Sequence, residues 1–235
     1  MVFSNLFFLY FFLPLNLICY FLAKSIHVRN GILIVFSLFF YAWGEPRYVP
    51  LLVGMVLINW IFGLMIEKYR GQKLAKAGLI GACICSLTLL GIFKYLTLIL
   101  GTTHDLFGLP SVVPQILLPI GISFYTFQLL SYVVDVYRGT IQAQKNIFHL
   151  ALYISFFPQL IAGPIVKYHD VCEQIGNRQC TAEGMAYGIK RFSYGLAKKM
   201  LFANTFAATV DWMMEKPLAQ LGTVNAWMLA VLYTL

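Results

Sequence analysis

Apolar positions along this chain come in long blocks, with none of the alternation of a half-buried strand. No charged side chain interrupts residues 1–23, 31–44, 48–66, 77–93, 106–134, 146–166 or 217–235. Blocks of about 20 residues match the hydrocarbon thickness of a bilayer. Unpaired backbone groups are costly in lipid, so such blocks predict helices, or irregular segments that helices cover. The pattern predicts an all-α fold, a polytopic transmembrane helical bundle.

Composition agrees: 60% of the residues are hydrophobic and 11% are charged, too few charges to coat a soluble domain. A net charge of +8 raises nucleic acid as a partner. The cations sit in the gaps between blocks, however, so they read as topology signals and no nucleic acid is expected. Lys24 with Arg29, Lys68 to Lys76, and Arg138 with Lys145 then mark cytoplasmic turns. The amino terminus, the turn from Glu45 to Arg47 and a polar turn at Thr103-His104-Asp105 lie outside. Phe21-Leu22-Ala23 places a bulky residue where signal cleavage needs a small one, so the first block is read as an uncleaved helix.

A full crossing by residues 146–166 would leave Lys167, Arg178, Lys190, Arg191, Lys198 and Lys199 on the outer face, against the same rule. The block holds Pro158, Gly163 and Pro164 in Phe156-Phe157-Pro158-Gln159-Leu160-Ile161-Ala162-Gly163-Pro164, where a helix needs N–H donors and helical dihedrals. It is therefore expected to be a broken, re-entrant element, with a proline-kinked crossing helix as the alternative. Irregular backbone at membrane depth survives only under protein or beside a water-filled cavity, so the break, with Gln159, points to the functional centre. Gly163 is expected in a conformation or contact that a side chain would disrupt.

Downstream, Ile189, Phe192, Leu196, Met200 and Ala203 recur at helical spacing opposite Lys190, Arg191, Tyr194 and Lys198, the pattern of an interfacial amphipathic helix. Lys190, Arg191, Lys198 and Lys199 are candidates for lipid phosphates, or for a phosphate-bearing acyl donor. The chain then passes Asp211 to Lys216 outside and re-enters with residues 217–235.

Gly121, Tyr125, Gln128, Tyr132 and Asp135 fall three or four apart and make one polar stripe, with Arg138 spaced to pair with Asp135. The stripe either lines a polar interior or bonds neighbouring helices. Among the histidines, His27 and His169 lie among loop charges, His104 in the polar turn and only His149 within an apolar block, where packing is the better reading. Cys83 and Cys85 point apart on a helix, Cys19 sits in an apolar block and Cys172 and Cys180 in a charged loop, so neither a metal site nor a disulfide framework is expected. No nucleophile elbow or phosphate loop appears.

Ser37-Leu38-Phe39-Phe40-Tyr41-Ala42-Trp43-Gly44-Glu45-Pro46 after Arg29-Asn30 forms a first long block of words, and Leu118 to Gly139 a second. Leu152 to Tyr168 supplies a third, and Arg191-Phe192 with Gly195-Leu196-Ala197-Lys198-Lys199 and Ala203-Asn204 a fourth. In this order they closely resemble membrane-bound O-acyltransferases of the alginate O-acetyltransferase type. The resemblance implies transfer of an acetyl group from a cytoplasmic donor, acetyl-CoA, toward an extracytoplasmic polysaccharide such as alginate or a periplasmic acetyl-carrying partner. It also implies a multi-pass protein of the bacterial inner membrane, with no bound cofactor. In such proteins a catalytic histidine lies in a later Trp- and Arg-rich segment, so residues 1–235 are expected to be the N-terminal part of one acyltransferase domain, truncated before that histidine and inactive alone. No catalytic residue is assigned within them. A transporter or flippase for a lipid-linked sugar, or a non-catalytic membrane interaction subunit, are the competing readings.

Overall fold

The computed structural model describes residues 3–107, 117–161, 163, 165–215 and 222–234, with the side chains of all of these except 101, 103–105 and 107. The described residues form helices and turns and fall into two compact units, one of which is Phe7–Arg178 and the other Gln179–Leu235 with Val2–Leu6.

In the first unit a π-helical turn, Phe8–Phe12, leads into α1 (Leu13–Leu22), with Pro14 in the first turn, where a missing N–H costs nothing. Then follow α2 (Ile26–Gly44), α3 (Val49–Lys68) and α4 (Lys73–Phe107). Ile26–Gly44, Pro46–Lys68 and Lys73–Leu100 are long and apolar enough to cross a membrane. Large apolar side chains such as Val35, Phe39, Val53, Ile61 and Ile84 are exposed on these helices, as a lipid-facing surface requires. The chain is by these features a helical membrane protein.

Two boundaries differ from the sequence reading. The turn expected at Thr103, His104 and Asp105 is helical, because α4 continues to Phe107; no proline intervenes before Pro110, and Gly101 alone costs a helix only about 1 kcal/mol. The block 106–134 is not one helix either. α5 (Ile122–Arg138) starts only after Pro119 and Gly121, the latter at φ +76°, where the left-handed backbone stops a helix from extending backward.

Contacts sort the helix ends into two sets. At one end the Glu45 carboxylate accepts from Ile120 N–H at 2.9 Å and the Tyr48 hydroxyl donates to Leu117 C=O at 2.7 Å. At the other, Arg70 Nη2 donates to Val136 C=O at 3.1 Å and Ile141 C=O at 3.4 Å, so a cation completes the C-terminus of α5. The rings of His27 and His149 lie 6.5 Å apart at this second end. Arg29, Lys68, Arg70, Lys73, Arg138, Lys145 and Arg178 belong to it, whereas the first end carries Glu45 and Arg47.

In the second unit Thr181 caps α9 (Ala182–Lys198) by accepting from Gly184 N–H at 3.1 Å. A π turn, Lys199–Ala203, carries the helix directly into α10 (Asn204–Met214), and α11 is Thr223–Thr234. Ile189, Phe192, Met200, Leu201 and Phe202 are exposed, as are Lys190, Arg191 and Lys198, in keeping with the amphipathic pattern. Arg191 donates to the Tyr187 hydroxyl at 2.7 Å and lies over its ring.

Candidate functional site: a broken helix against a polar stripe

Residues 144–168 leave and return at the basic end of the first unit. Gln144 Nε2 donates to the Tyr168 hydroxyl at 2.6 Å, which joins the two ends of the excursion. Between them α6 (Ile147–Ser155) and α7 (Phe157–Leu160) run toward the opposite end, where Leu160 C=O lies against Gly121 at the start of α5. The return strand is pinned by the Tyr153 hydroxyl, which donates to Val166 C=O at 2.6 Å. The segment therefore leaves and returns at one end of the first unit as a broken hairpin, the geometry that a re-entrant element requires.

Gln144 anchors the hairpin through every polar group it has. Its N–H donates to the Tyr132 hydroxyl at 2.9 Å, its C=O accepts from Trp60 Nε1 at 2.7 Å, and its side-chain oxygen accepts from Asn146 N–H at 2.9 Å. Asn146 in turn caps α6 by accepting from Phe148 N–H. The Tyr168 ring packs edge-on against Tyr132 and Tyr153, with centroids 5.3 and 5.2 Å away. Burial pushes the Tyr168 phenol above its ordinary pKa, against the opposing effect of the Gln144 hydrogen bond.

The break is at Phe156, whose φ of −54° and ψ of 111° leave the helical region. Pro158 sits in the first turn of α7, the tolerated place for it. Phe157 N–H, which a continuous helix would give to Tyr153, donates instead to Ser37 Oγ of α2 at 3.2 Å. The Tyr153 carbonyl thereby released accepts from the Gln159 side-chain amide. Protein groups thus replace the backbone bonds that lipid could not.

The predicted stripe faces this hairpin from α5. Tyr125, Gln128 and Tyr132 are buried, Asp135 is half-buried and Arg138 exposed. Asp135 and Arg138 make no ion pair, a correction to the expected pairing; Arg70 reaches the α5 terminus instead. Whereas Tyr132 is bonded, Gln128 Oε1, Thr126 Oγ1 and Ser155 Oγ are buried without a hydrogen-bond partner, and the buried Tyr125 and Tyr41 hydroxyls lie against each other. Such atoms are expensive in an apolar interior and are the natural acceptors and donors for a polar guest.

Of the other predicted residues, Gly163 is not at positive φ, but a side chain there would press on Gln159 Cα at 3.2 Å, so close contact is its constraint. Pro164 lies outside the described residues. Lys190, Arg191, Lys198 and Lys199 belong to the second unit. Sequence reasoning passed over Gln144, Ser37 as a bond acceptor for the break, and Trp60. A lone glutamine in a polar loop carries no signal, although Asn146 two residues later is a helix cap that marks where the hairpin begins.

Beside the hairpin is a cavity of about 270 Å³, bounded by Leu152, Tyr153, Phe156 and Gln159 of the hairpin, Ile175 of α8 (Tyr168–Gly176), and Arg178. His149, in the first turn of α6, is held below the usual imidazole pKa by partial burial and by the nearby His27 and Arg178.

The fold and site define a helical membrane protein built around a broken hairpin and a polar core. Along its whole length the chain is 38% identical to the probable alginate O-acetylase of Pseudomonas aeruginosa, covering 45% of that protein. It is likewise 38% identical to the one from Azotobacter vinelandii, covering 47%. A peptidoglycan O-acetyltransferase of Helicobacter pylori is 30% identical to the entire chain, which covers half of it. The chain spans about half the length of the curated relatives it matches. No protein-family model and no solved structure matches it. The chain is a homologue of chains named as polysaccharide O-acetylating enzymes, and its resemblance is to O-acyltransferases.

Proposed function

We propose that these residues form the N-terminal portion of a multi-pass O-acetyltransferase of the bacterial inner membrane. It passes an acetyl group from cytoplasmic acetyl-CoA toward an extracytoplasmic polysaccharide, directly or through a periplasmic acetyl-carrying partner. The observation that carries this reading is the full-length similarity to chains named for O-acetylation. The re-entrant hairpin and its unpaired polar neighbours fit it: acyl transfer to a hydroxyl needs a path that excludes water and groups that hold the reacting oxygens. The Tyr125–Tyr41 hydroxyl pair keeps one O–H to donate to an acyl carbonyl oxygen, where negative charge develops as the hydroxyl attacks. Gln128 Oε1 can accept from a hydroxyl. The general base, by resemblance a histidine, is supplied by a segment beyond these residues.

In a complete counterpart carrying these blocks, Tyr125→Phe and Gln128→Leu should each lower acetyl transfer at least tenfold while membrane insertion is kept. Unchanged turnover in both variants would reduce the stripe to packing and remove it from the site.

A further inference from the structure

Beside the hairpin's cavity stand two cations with no carboxylate at ion-pair distance among the described residues. Arg29 and Arg178 both lie over the ring of buried Tyr20, at 5.2 and 5.4 Å from its centroid. Arg178 Nε donates to the Tyr20 hydroxyl at 3.0 Å and its Nη2 to Asn30 Oδ1 at 2.7 Å, while Asn30 Nδ2 donates to Ile175 C=O at 3.0 Å. Arg29 Nε donates to Ala23 C=O at 2.9 Å. These bonds hold both guanidinium groups and leave Arg29 Nη1 and Nη2 and Arg178 Nη1 without an acceptor among the described residues.

Neither cation is in an ion pair among the described residues; the Asp170 carboxylate lies 3.6 Å from the His169 imidazole instead, with both side chains exposed. Two un-neutralised guanidinium groups on one aromatic ring raise the local positive potential, which favours an anion with several oxygens. Arg178 also borders the cavity, whose other walls are mostly apolar, Leu33, Leu152, Phe156, Val166 and Val171 among them, with Gln159 and Gln174 as polar members. One arginine thus joins an anion-binding pair to a pocket sized for a short apolar chain.

We infer that Arg29 and Arg178, held on Tyr20, bind the phosphate of an amphiphile whose apolar chain enters the cavity between α2, the hairpin and α8. This places the phosphate site on the first unit, on residues other than the lysines and Arg191 that the sequence suggested. The ligand class is a phosphate ester carrying an apolar or thioester-bearing arm, and two sources share that chemistry: an anionic phospholipid, or the phosphopantetheine arm of an acyl-CoA. The inference concerns binding, so it stands or falls apart from acetyl transfer.

The test uses the 235-residue chain purified in non-ionic detergent, with dissociation constants measured for dioctanoyl phosphatidylglycerol, dioctanoyl phosphatidylcholine and acetyl-CoA. Phosphatidylglycerol or acetyl-CoA should bind at least tenfold more tightly than phosphatidylcholine, with an affinity that falls as salt rises. Arg178→Gln should weaken that ligand at least tenfold. Because Arg178 also ties α1 to α2, Arg29→Gln serves as a second variant, since it gives up only the bond to Ala23 and the contact with the Tyr20 ring; the same loss is expected. Val171→Trp, which fills the cavity and leaves both cations, should weaken it as well. Which of the two ligands responds identifies the source. Equal affinity for the anionic and zwitterionic lipids with no acetyl-CoA binding, or binding that Arg29→Gln and Val171→Trp leave unchanged, would overturn the inference.

Discussion

The spanning helices α2 to α4 and the hairpin of residues 144–168 solve the same problem in different ways. Each spanning helix satisfies its backbone internally, so it needs little from its neighbours beyond packing. The hairpin interrupts its own ladder at Phe156, where Ser37 and Gln159 supply the missing bonds, and its start at Gln144 is held by Tyr132, Trp60 and Tyr168, so five different helices contribute. The difference teaches where sensitivity to mutation should lie: a spanning helix tolerates change at positions that touch nothing, whereas the hairpin fails when any one partner is lost.

Glycine substitution gives the widest contrast. Gly121 combines φ +76° with a would-be Cβ only 2.6 Å from Leu160 C=O, at the point where the hairpin tip meets α5. Left-handed backbone costs a non-glycine residue about 1–2 kcal/mol, and the clash with backbone adds to it, so Gly121→Ala should destabilise the chain by about 3 kcal/mol or more. Gly54, within α3, has nothing within 4 Å of a would-be Cβ. Gly54→Ala should be neutral or stabilising by up to about 1 kcal/mol. Unfolding in mixed micelles of rising SDS content measures both, and equal effects would erase the contrast.

Next in size is the hairpin's anchor. Gln144→Leu removes the side-chain bonds to Tyr168 and Asn146 and leaves their polar groups unpaired, for about 2–4 kcal/mol. Proteolysis between residues 161 and 167 should then be faster than in the parent, while cleavage within α3 stays as it was. Unchanged protection of the return strand would mean that its ends are held elsewhere.

The smallest expected effect is a pH dependence at the hairpin's first turn. His149 has a folded-state pKa below its ordinary value, owing first to burial and then to His27 and Arg178. The unfolded chain therefore takes up a proton that the folded chain resists, so stability falls as pH drops below about 6.5 and the penalty is absent above it. It stops growing once pH passes the folded-state pKa. His149→Asn should flatten this part of the stability profile, and an unaltered slope would assign it to another group.

How much of this was legible beforehand follows the same division. The apolar blocks gave α2, α3 and most of α4, because helix formation in lipid depends on local composition. Pro158, together with the basic residues after it, revealed the broken hairpin, since both signals are local or additive. The stripe on α5 was readable from its spacing, but not which members are bonded: Tyr132 meets Gln144 and Tyr125 meets Tyr41, while Gln128 Oε1 stays unpaired. Asp135 and Arg138 had suitable spacing and do not pair, because spacing permits a contact without supplying its geometry. The Arg29–Tyr20–Arg178 group was invisible, since Tyr20 and Arg178 are 158 residues apart and only the folded chain brings them together.

The central claim, that residues 144–168 enter and leave on one side, is tested most directly by substituted-cysteine labelling in intact bacterial cells. With the five native cysteines replaced, single cysteines at positions 47, 145 and 178 are treated with a membrane-impermeant maleimide before and after permeabilisation. The account predicts labelling at 47 in intact cells, and at 145 and 178 only once the membrane is opened. Labelling at 178 in intact cells, with 145 still protected, would mean that the segment crosses the membrane and would contradict the account.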